Sequence, residues 1–291
     1  MAPALVLRTP CKINWCLYVL GKRPDGYHDI LTLMQCVSVY DTLSFSSSET
    51  IELVSDMDLP KDDNLVVKAA RALCEYNGRD MGARIVLEKE IPAGAGLGGG
   101  SSDAACTLRG LNALWALGLE KEELKAIGGR LGSDVPFFLE SPAAVARGRG
   151  EDLTLVDIPC ERTLLLVKPE VSVSTAWAYE TLDSIAGHEL TNDTDRIDNI
   201  KLIFDALCNW DCVIPETILH NDFEEAVRIR FPVIGHLKEQ LLKAGASAAL
   251  MSGSGSAVFG VFDTREAAVE ASHAFSSYWH RVADTLTGVI P

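Results

Sequence analysis

The chain has 291 residues, with 26 Lys and Arg against 41 Asp and Glu, a formal net charge of −15. So acidic a surface repels phosphate backbones, which speaks against nucleic acid as a partner and against attraction to an anionic membrane. Hydrophobic residues make up 47% and charged residues 23%, a globular mixture that argues against wholesale disorder and, at this length, for about two domains.

In chain order, strands are predicted over 5–7 and 13–20, followed by a polar turn at 21–26, and β-branched and apolar residues predict a strand over 30–45. Asp62 or Asp63 is placed to cap a helix carrying Leu65, Val66, Ala69, Leu73 and Tyr76, which Gly78 stops. Residues 84–90 read as a strand ending at Pro92. Ser101 or Ser102 then opens a helix with Ala104, Leu108, Leu111 and Trp115 on one face, and another helix follows over about 120–131. The composition shifts at 152–159, which predicts a domain of residues 1–157 and a second of 158–291. Beyond the shift, 163–167 read as a buried strand and 184–200 as a polar, acidic loop or short helices. Asn221 or Asp222 starts a helix that Pro232 breaks, and a further helix with Val233, Leu237 and Leu241 ends at Gly245. Residues 246–250 and 257–262 predict a hairpin around Gly253-Ser254-Gly255. Thr264 then caps a helix bearing Ala267, Ala271, Phe275 and Trp279. The class is α+β, without a repeat of fixed period.

The longest uncharged run, 244–262, contains eight Gly or Ser residues, which is turn composition and not that of a membrane span. Arg8 and Lys12 interrupt the N-terminal stretch, so no export signal is expected. The eight cysteines form no Cys-x-x-Cys pair, and free thiols fit a reducing, cytoplasmic setting. Cys208, Cys212 and His220 match no standard zinc spacing and lack a fourth ligand, so no metal site is expected there.

The most informative segment is Pro92-Ala93-Gly94-Ala95-Gly96-Leu97-Gly98-Gly99-Gly100-Ser101-Ser102, between a predicted strand and a predicted helix. Five glycines fall within seven residues, a density that is entropically costly and exceeds what a plain turn with a serine cap requires. Without side chains in the way, the backbone N–H groups converge on an anion, and the helix end adds its own unpaired N–H groups. The serine hydroxyls suit phosphate or Mg²⁺. No lysine precedes Ser101, which excludes a Walker A loop. About twenty residues on, where a dinucleotide fold carries a strand ending in an acid, stands the helix start Glu120-Lys121-Glu122-Glu123. The segment therefore reads as a phosphate cradle of another type.

This loop, written Pro-x-x-x-Gly-Leu-Gly-x-x-Ser-Ser-x-Ala-Ala, resembles the phosphate loop of the GHMP kinase superfamily. Residues 10–15 (Pro-Cys-Lys-Ile-Asn-Trp), 21–28 (Gly-Lys-Arg-Pro-Asp-Gly-Tyr-His), 132–139 (Gly-Ser-Asp-Val-Pro-Phe-Phe-Leu) and 251–259 resemble further motifs of that family in matching order. Val171 to Thr175 and Asn221 to Glu224 also fit. Cys11 departs from the usual alanine, a small-for-small change. The resemblance implies a two-domain GHMP kinase fold, with an N-terminal domain like ribosomal protein S5 domain 2 and a ferredoxin-like C-terminal domain. It implies transfer of a phosphoryl group from ATP, with Mg²⁺, to a small-molecule alcohol. The version here is most similar to the branch that phosphorylates the 2-hydroxyl of diphosphocytidyl methylerythritol in non-mevalonate isoprenoid synthesis. Another small alcohol, or a non-catalytic nucleotide-binding role, stands as the alternative, and a monomer or weak homodimer is the expected assembly.

By the same resemblance, Asp134 accepts or orients the hydroxyl proton and Lys12 lies beside it. Residues 92–102 and Asn64 bind ATP. Tyr27 and His28 read the cytosine, with Tyr179 on the other face of the ring, and Asn14 and Thr175 are polar contacts to the substrate. Each has a local alternative: Asp134 and Asn64 as helix caps, Lys12 as a solvated strand lysine, Tyr27 and His28 as surface residues after a turn. No dense carboxylate cluster marks Mg²⁺ ligands.

Overall fold

The computed structural model describes residues 4–56, 63–185, 193–209 and 212–288. Strands β1 (Leu5–Lys22) and β2 (His28–Ser47) form one long antiparallel hairpin. The two predicted N-terminal strands are thus a single element. Pro10, which lacks a backbone donor, sits at an irregularity in the pairing between Pro10 and Cys11, where no ladder bond is lost. Strand β3 (Ile51–Ser55), absent from the prediction, pairs in parallel with β4 (Ala83–Glu88), and β4 pairs antiparallel with β2. Strands β5 (Ala143–Arg147) and β6 (Asp152–Leu155) branch from β2.

Helices α1 (Leu65–Asn77), α2 (Gly99–Leu114), α3 (Lys121–Leu131) and α4 (Val135–Glu140) accompany this sheet. Asn64 caps α1 by accepting from the Val66 N–H at 2.9 Å, in place of Asp63; Asp62 lies outside the described residues. Gly78, at φ 66°, ends α1 as predicted. Helix α2 begins two residues before the predicted serine cap. Its cap is Gly98 at φ 71°, a conformation that a serine adopts only with strain, so Ser101 and Ser102 lie inside the first turn. At α3, Glu120 and Glu123 cap reciprocally. Phe45, Leu73, Leu108, Phe137 and Phe138 fill the layer between sheet and helices. A Cβ on Gly110 would lie 2.5 Å from Phe45 Cε2, so α2 packs directly on β2.

The second half contains α5 (Thr175–Ser184), α6 (Asp193–Cys208), α7 (Asp222–Arg230), α8 (Pro232–Lys243) and α9 (Arg265–Ser272). Its sheet has the order β11-β7-β10-β9, with β7 (Thr163–Lys168), β9 (Ala248–Met251), β10 (Val258–Phe262) and β11 (Trp279–Asp284) antiparallel throughout. With α8 and α9 as crossovers this is the βαββαβ arrangement of a ferredoxin-like domain. Of the segment 184–200, predicted as a loop or short helices, the part from Asp193 is helical, and 186–192 lie outside the described residues. The final helix is shorter than predicted. It ends at Ser272, and Trp279 begins β11, because continuous pairing of Trp279–Asp284 with β7 outweighs the four-residue apolar spacing.

The two halves are sewn together. Strand β8 (His220–Asn221) joins the first sheet in parallel beside Cys16 and Leu17 of β1, and Leu286 N–H donates to Cys36 O at 2.8 Å. Trp15, Leu33, Leu166 and Phe259 are buried between the sheets, and Trp15 meets Phe259 edge-on at 5.6 Å.

Candidate active site

A cavity of about 1020 Å³ opens between the hairpin, the glycine loop and α5. Alternate residues of β2, His28, Ile30, Thr32 and Met34, line it, as the two-residue period of a strand requires, and β1 contributes Lys12 and Asn14. The glycine loop forms one wall. Gly94, Gly96 and Gly98 have φ of 62°, 75° and 71°, so every second residue is left-handed, a conformation that glycine adopts without strain. The loop is clamped from both sides. Lys12 N–H donates to Leu97 O at 2.9 Å, Ala257 N–H to Ala95 O at 3.0 Å, and Ser252 Oγ to Gly96 O at 3.0 Å. A Cβ on Gly96 would lie 2.1 Å from Ser252 O. Asn221 fixes the opposing loop: its amide donates to Met251 O at 2.7 Å and Gly253 O at 2.8 Å while its oxygen caps α7 at Phe223 N.

Of the predicted loop residues, Pro92 through Ser101 line the cavity. Ser102 does not. It is fully buried, its hydroxyl donates to Pro10 O at 2.6 Å, and its N–H donates to Gly98 O at 2.9 Å. Its groups hold α2 to β1 and leave none for a phosphate. Beneath the loop, Lys89 bridges Asp41 and Asp103. Burial and the second carboxylate push the Asp103 carboxyl up, against the pull of Lys89, and its Oδ1 has no hydrogen-bond partner.

In the middle of the cavity the Lys12 ammonium donates to Asn14 Oδ1 at 2.6 Å and lies 3.7 Å from Asp134 Oδ2. Asn14 Nδ2 donates to Thr32 Oγ1 at 2.8 Å, and Thr32 donates to Cys16 O at 2.6 Å, which fixes the amide oxygen toward the lysine. Lys12 is 4% exposed, so it is no solvated strand lysine. Asp134 heads α4 but makes no side-chain capping bond, and its carboxylate faces the cavity.

At the far end His28 stacks on Tyr179 with centroids 4.5 Å apart and an interplanar angle of 13°, and Tyr179 sits edge-on against Phe223 at 4.8 Å. Burial pushes the Tyr179 hydroxyl up to about 12. Asp183 accepts from His28 Nε2 at 2.7 Å and from Lys22 Nζ at 2.7 Å. Those two bonds, Lys22 first, hold its carboxyl below the ordinary range. Tyr27 and Tyr179 both line the cavity. Tyr27 is 56% exposed at the rim, with the Arg149 guanidinium 4.6 Å over its ring. Thr175 Oγ1 meets Ser254 Oγ at 2.9 Å, which joins α5 to the Gly253–Gly255 turn. At the opposite end Asn64 lines the cavity while its oxygen caps α1. Lys22, Lys89, Arg149 and Asp183 also line the cavity and were absent from the predicted set.

The GHMP kinase N-terminal domain pattern matches residues 64–141 and the GHMP kinase C-terminal pattern matches residues 203–281. The 4-diphosphocytidyl-2-C-methyl-D-erythritol kinase of Thermodesulfovibrio yellowstonii is 47% identical over 97% of this chain and 98% of its own. The chain belongs to the GHMP kinase family. The enzyme of the same name from Geobacter metallireducens is 41% identical over 96% of this chain and 98% of its own. A crystal structure of 4-(cytidine 5'-diphospho)-2C-methyl-D-erythritol kinase superposes with a TM-score of 0.81 at 34% identity, covering 98% of this chain and all of that one. Homoserine kinase from Cytophaga hutchinsonii shares the fold, with a TM-score of 0.74 at 20% identity over 98% of this chain and 95% of its own. As a GHMP kinase the protein is a small-molecule kinase that uses ATP. Among the described residues no helix is long and apolar enough to cross a membrane.

Proposed function

We propose that this kinase transfers the γ-phosphoryl group of ATP to the 2-hydroxyl of 4-diphosphocytidyl-2-C-methyl-D-erythritol, a step of non-mevalonate isoprenoid precursor synthesis. The observation that carries this reading is the continuity of one cavity. It runs from the glycine loop, past Lys12 and Asp134, to the His28–Tyr179 ring pair. ATP lies with its phosphates on residues 92–101 and its base toward Asn64. The substrate lies with its cytosine at Tyr27, His28 and Tyr179, and with Asn14 and Thr175 as polar contacts along its length. The relatives at 41–47% identity, named for this substrate, support the assignment.

In the proposed chemistry Asp134 accepts or orients the proton of the attacking hydroxyl. Lys12 holds its ammonium beside that carboxylate and favours the negative charge developing on the attacking oxygen. The loop N–H groups and the start of α2 hold the phosphates. Mg²⁺ is a hard cation that takes oxygen ligands and retains several waters, so a site with one protein hydroxyl suits it. Ser101 is the oxygen donor the loop turns to the cavity, and no group of three or more His, Cys, Asp and Glu gathers among the described residues. When bound, the ion neutralises phosphate charge.

Residues 1–157 would form the ATP-binding domain and 158–291 the second domain, although β8 crosses back into the first sheet. A monomer or a weak homodimer is the assembly this reading proposes. The free cysteines fit a cytoplasmic setting. A coupled assay of ADP release tests the function, with the diphosphocytidyl alcohol compared against mevalonate, homoserine and galactose. Turnover confined to the diphosphocytidyl alcohol is the expected result. Turnover of another alcohol reassigns the substrate, and ATP binding without turnover of any points to a nucleotide-binding protein.

A further inference from the structure

We infer that Asp183 is a positioning residue that fixes the tautomer of His28, and that this tautomer makes the site select cytosine over uracil. The inference rests on the diphosphocytidyl substrate proposed above. His28 is 7% exposed and its ring is held on three sides: stacked on Tyr179, bonded through Nε2 to Asp183 Oδ1, and fixed at the start of β2. The other Asp183 oxygen accepts from Lys22, so the carboxylate is held in place by two donors.

An ionised carboxylate has no proton to give, so Nε2 must carry the one in the bond. In the neutral ring that leaves Nδ1 as a lone-pair acceptor. Nδ1 has no protein partner among the described residues, and the ring lines the cavity. Cytosine presents an exocyclic amino group, a donor, where uracil presents a carbonyl. An acceptor locked at Nδ1 pairs with the first and opposes the second. Without Asp183 the imidazole exchanges tautomers freely and reads neither base by this contact. The coupling runs between residues 155 positions apart, through a side chain at the end of a helix.

The test compares kcat/KM for the diphosphocytidyl alcohol and its deaminated, uridine counterpart in the wild type and in Asp183→Asn. The amide can present either oxygen or N–H to Nε2 and so removes the instruction at constant size. The Asp183 side chain is 32% exposed, so the exchange leaves a folded protein, checked by thermal denaturation. The wild type should prefer cytidine by at least about 100-fold. Asp183→Asn should lower that ratio by about tenfold, the worth of one hydrogen bond, through KM and with kcat and the KM for ATP little changed. Separately, ¹⁵N NMR of wild-type His28 should show the Nε2–H tautomer. A retained ratio in a folded Asp183→Asn enzyme, or an Nδ1–H tautomer in the wild type, overturns the inference while leaving the proposed function intact. A wild type that phosphorylates neither nucleotide overturns both.

Discussion

Gly96→Ala is the sharpest probe of how the two glycine loops are joined. The added methyl would stand 2.1 Å from Ser252 O and 3.0 Å from Gly255 N. Both are backbone atoms, so no side chain can swing aside. Gly96 also has φ 75°, which costs an L-residue about 1–2 kcal/mol. Relief of the clash must part the loops and strain the bonds Ser252 Oγ to Gly96 O and Ala257 N to Ala95 O, each worth about 0.5–1.5 kcal/mol. The total of about 2–5 kcal/mol should lower Tm by about 5–15 °C and weaken ATP binding, because the displaced backbone is the proposed phosphate wall. Gly100→Ala is the control: its Cβ would meet only Leu65 Cδ1 at 3.5 Å, inside a helix where alanine is favoured. Its Tm should equal or exceed that of the wild type. Thermal denaturation of the three proteins, with isothermal titration of ATP, decides the matter. A Gly96→Ala protein as stable as Gly100→Ala would refute the clash reasoning.

Asp134→Asn should lower kcat by about 10²–10⁴ with little change in ATP affinity, measured by steady-state kinetics and titration; an unchanged kcat removes its proposed role. Tyr179→Ala should raise KM for the cytidine substrate by about tenfold and spare ATP, since the stacked ring pair is the proposed cytosine site. Equal losses for both substrates would indicate a general disturbance. Asp103 offers a test by pH. Burial raises its carboxyl from 3.8 to about 7, so between those values the folded protein holds a proton that the unfolded chain has released. Stability from this group is therefore greatest at low pH and falls as pH rises toward 7. Asp103→Asn should raise Tm at pH 8 and leave it nearly unchanged at pH 5, since Lys89 keeps Asp41 as its partner.

The local chemistry was readable where a residue acts through its neighbours. The glycine density at 94–100, the helix stop at Gly78 and the Asn221 cap are each dictated within a few positions, and the structure has them there. The unpredicted features depend on distant partners. Strand β3 exists because β4, some thirty residues on, gives it a parallel edge. Trp279 keeps helical spacing yet joins a strand because β7 is there to pair with it. Ser102 looks like a phosphate ligand until β1 is laid across it, with Pro10 O as its acceptor. Asp183 reads as an acid on the exposed end of a helix. Only the fold brings His28 and Lys22 to it. Lys89 is similar: as a strand-end lysine it looks solvated, and two carboxylates from different elements make it a buried bridge.

The β1–β2 hairpin also acts as a ruler. Thr32, tied through Asn14 to the Lys12 ammonium, and His28, at the ring pair, lie four residues apart on one face of β2. A strand holds that spacing at about 13 Å. On the proposed function, the molecule to be phosphorylated would thus be gauged by length as well as by its ends. In the proposed reading, a short alcohol bound at Lys12 would leave the ring pair empty, and a base without a spacer of the right span would not bring its hydroxyl to Asp134. Because pairing with β1 and β5 fixes the strand's register, the gauge resets only in steps of two residues, about 6–7 Å at a time.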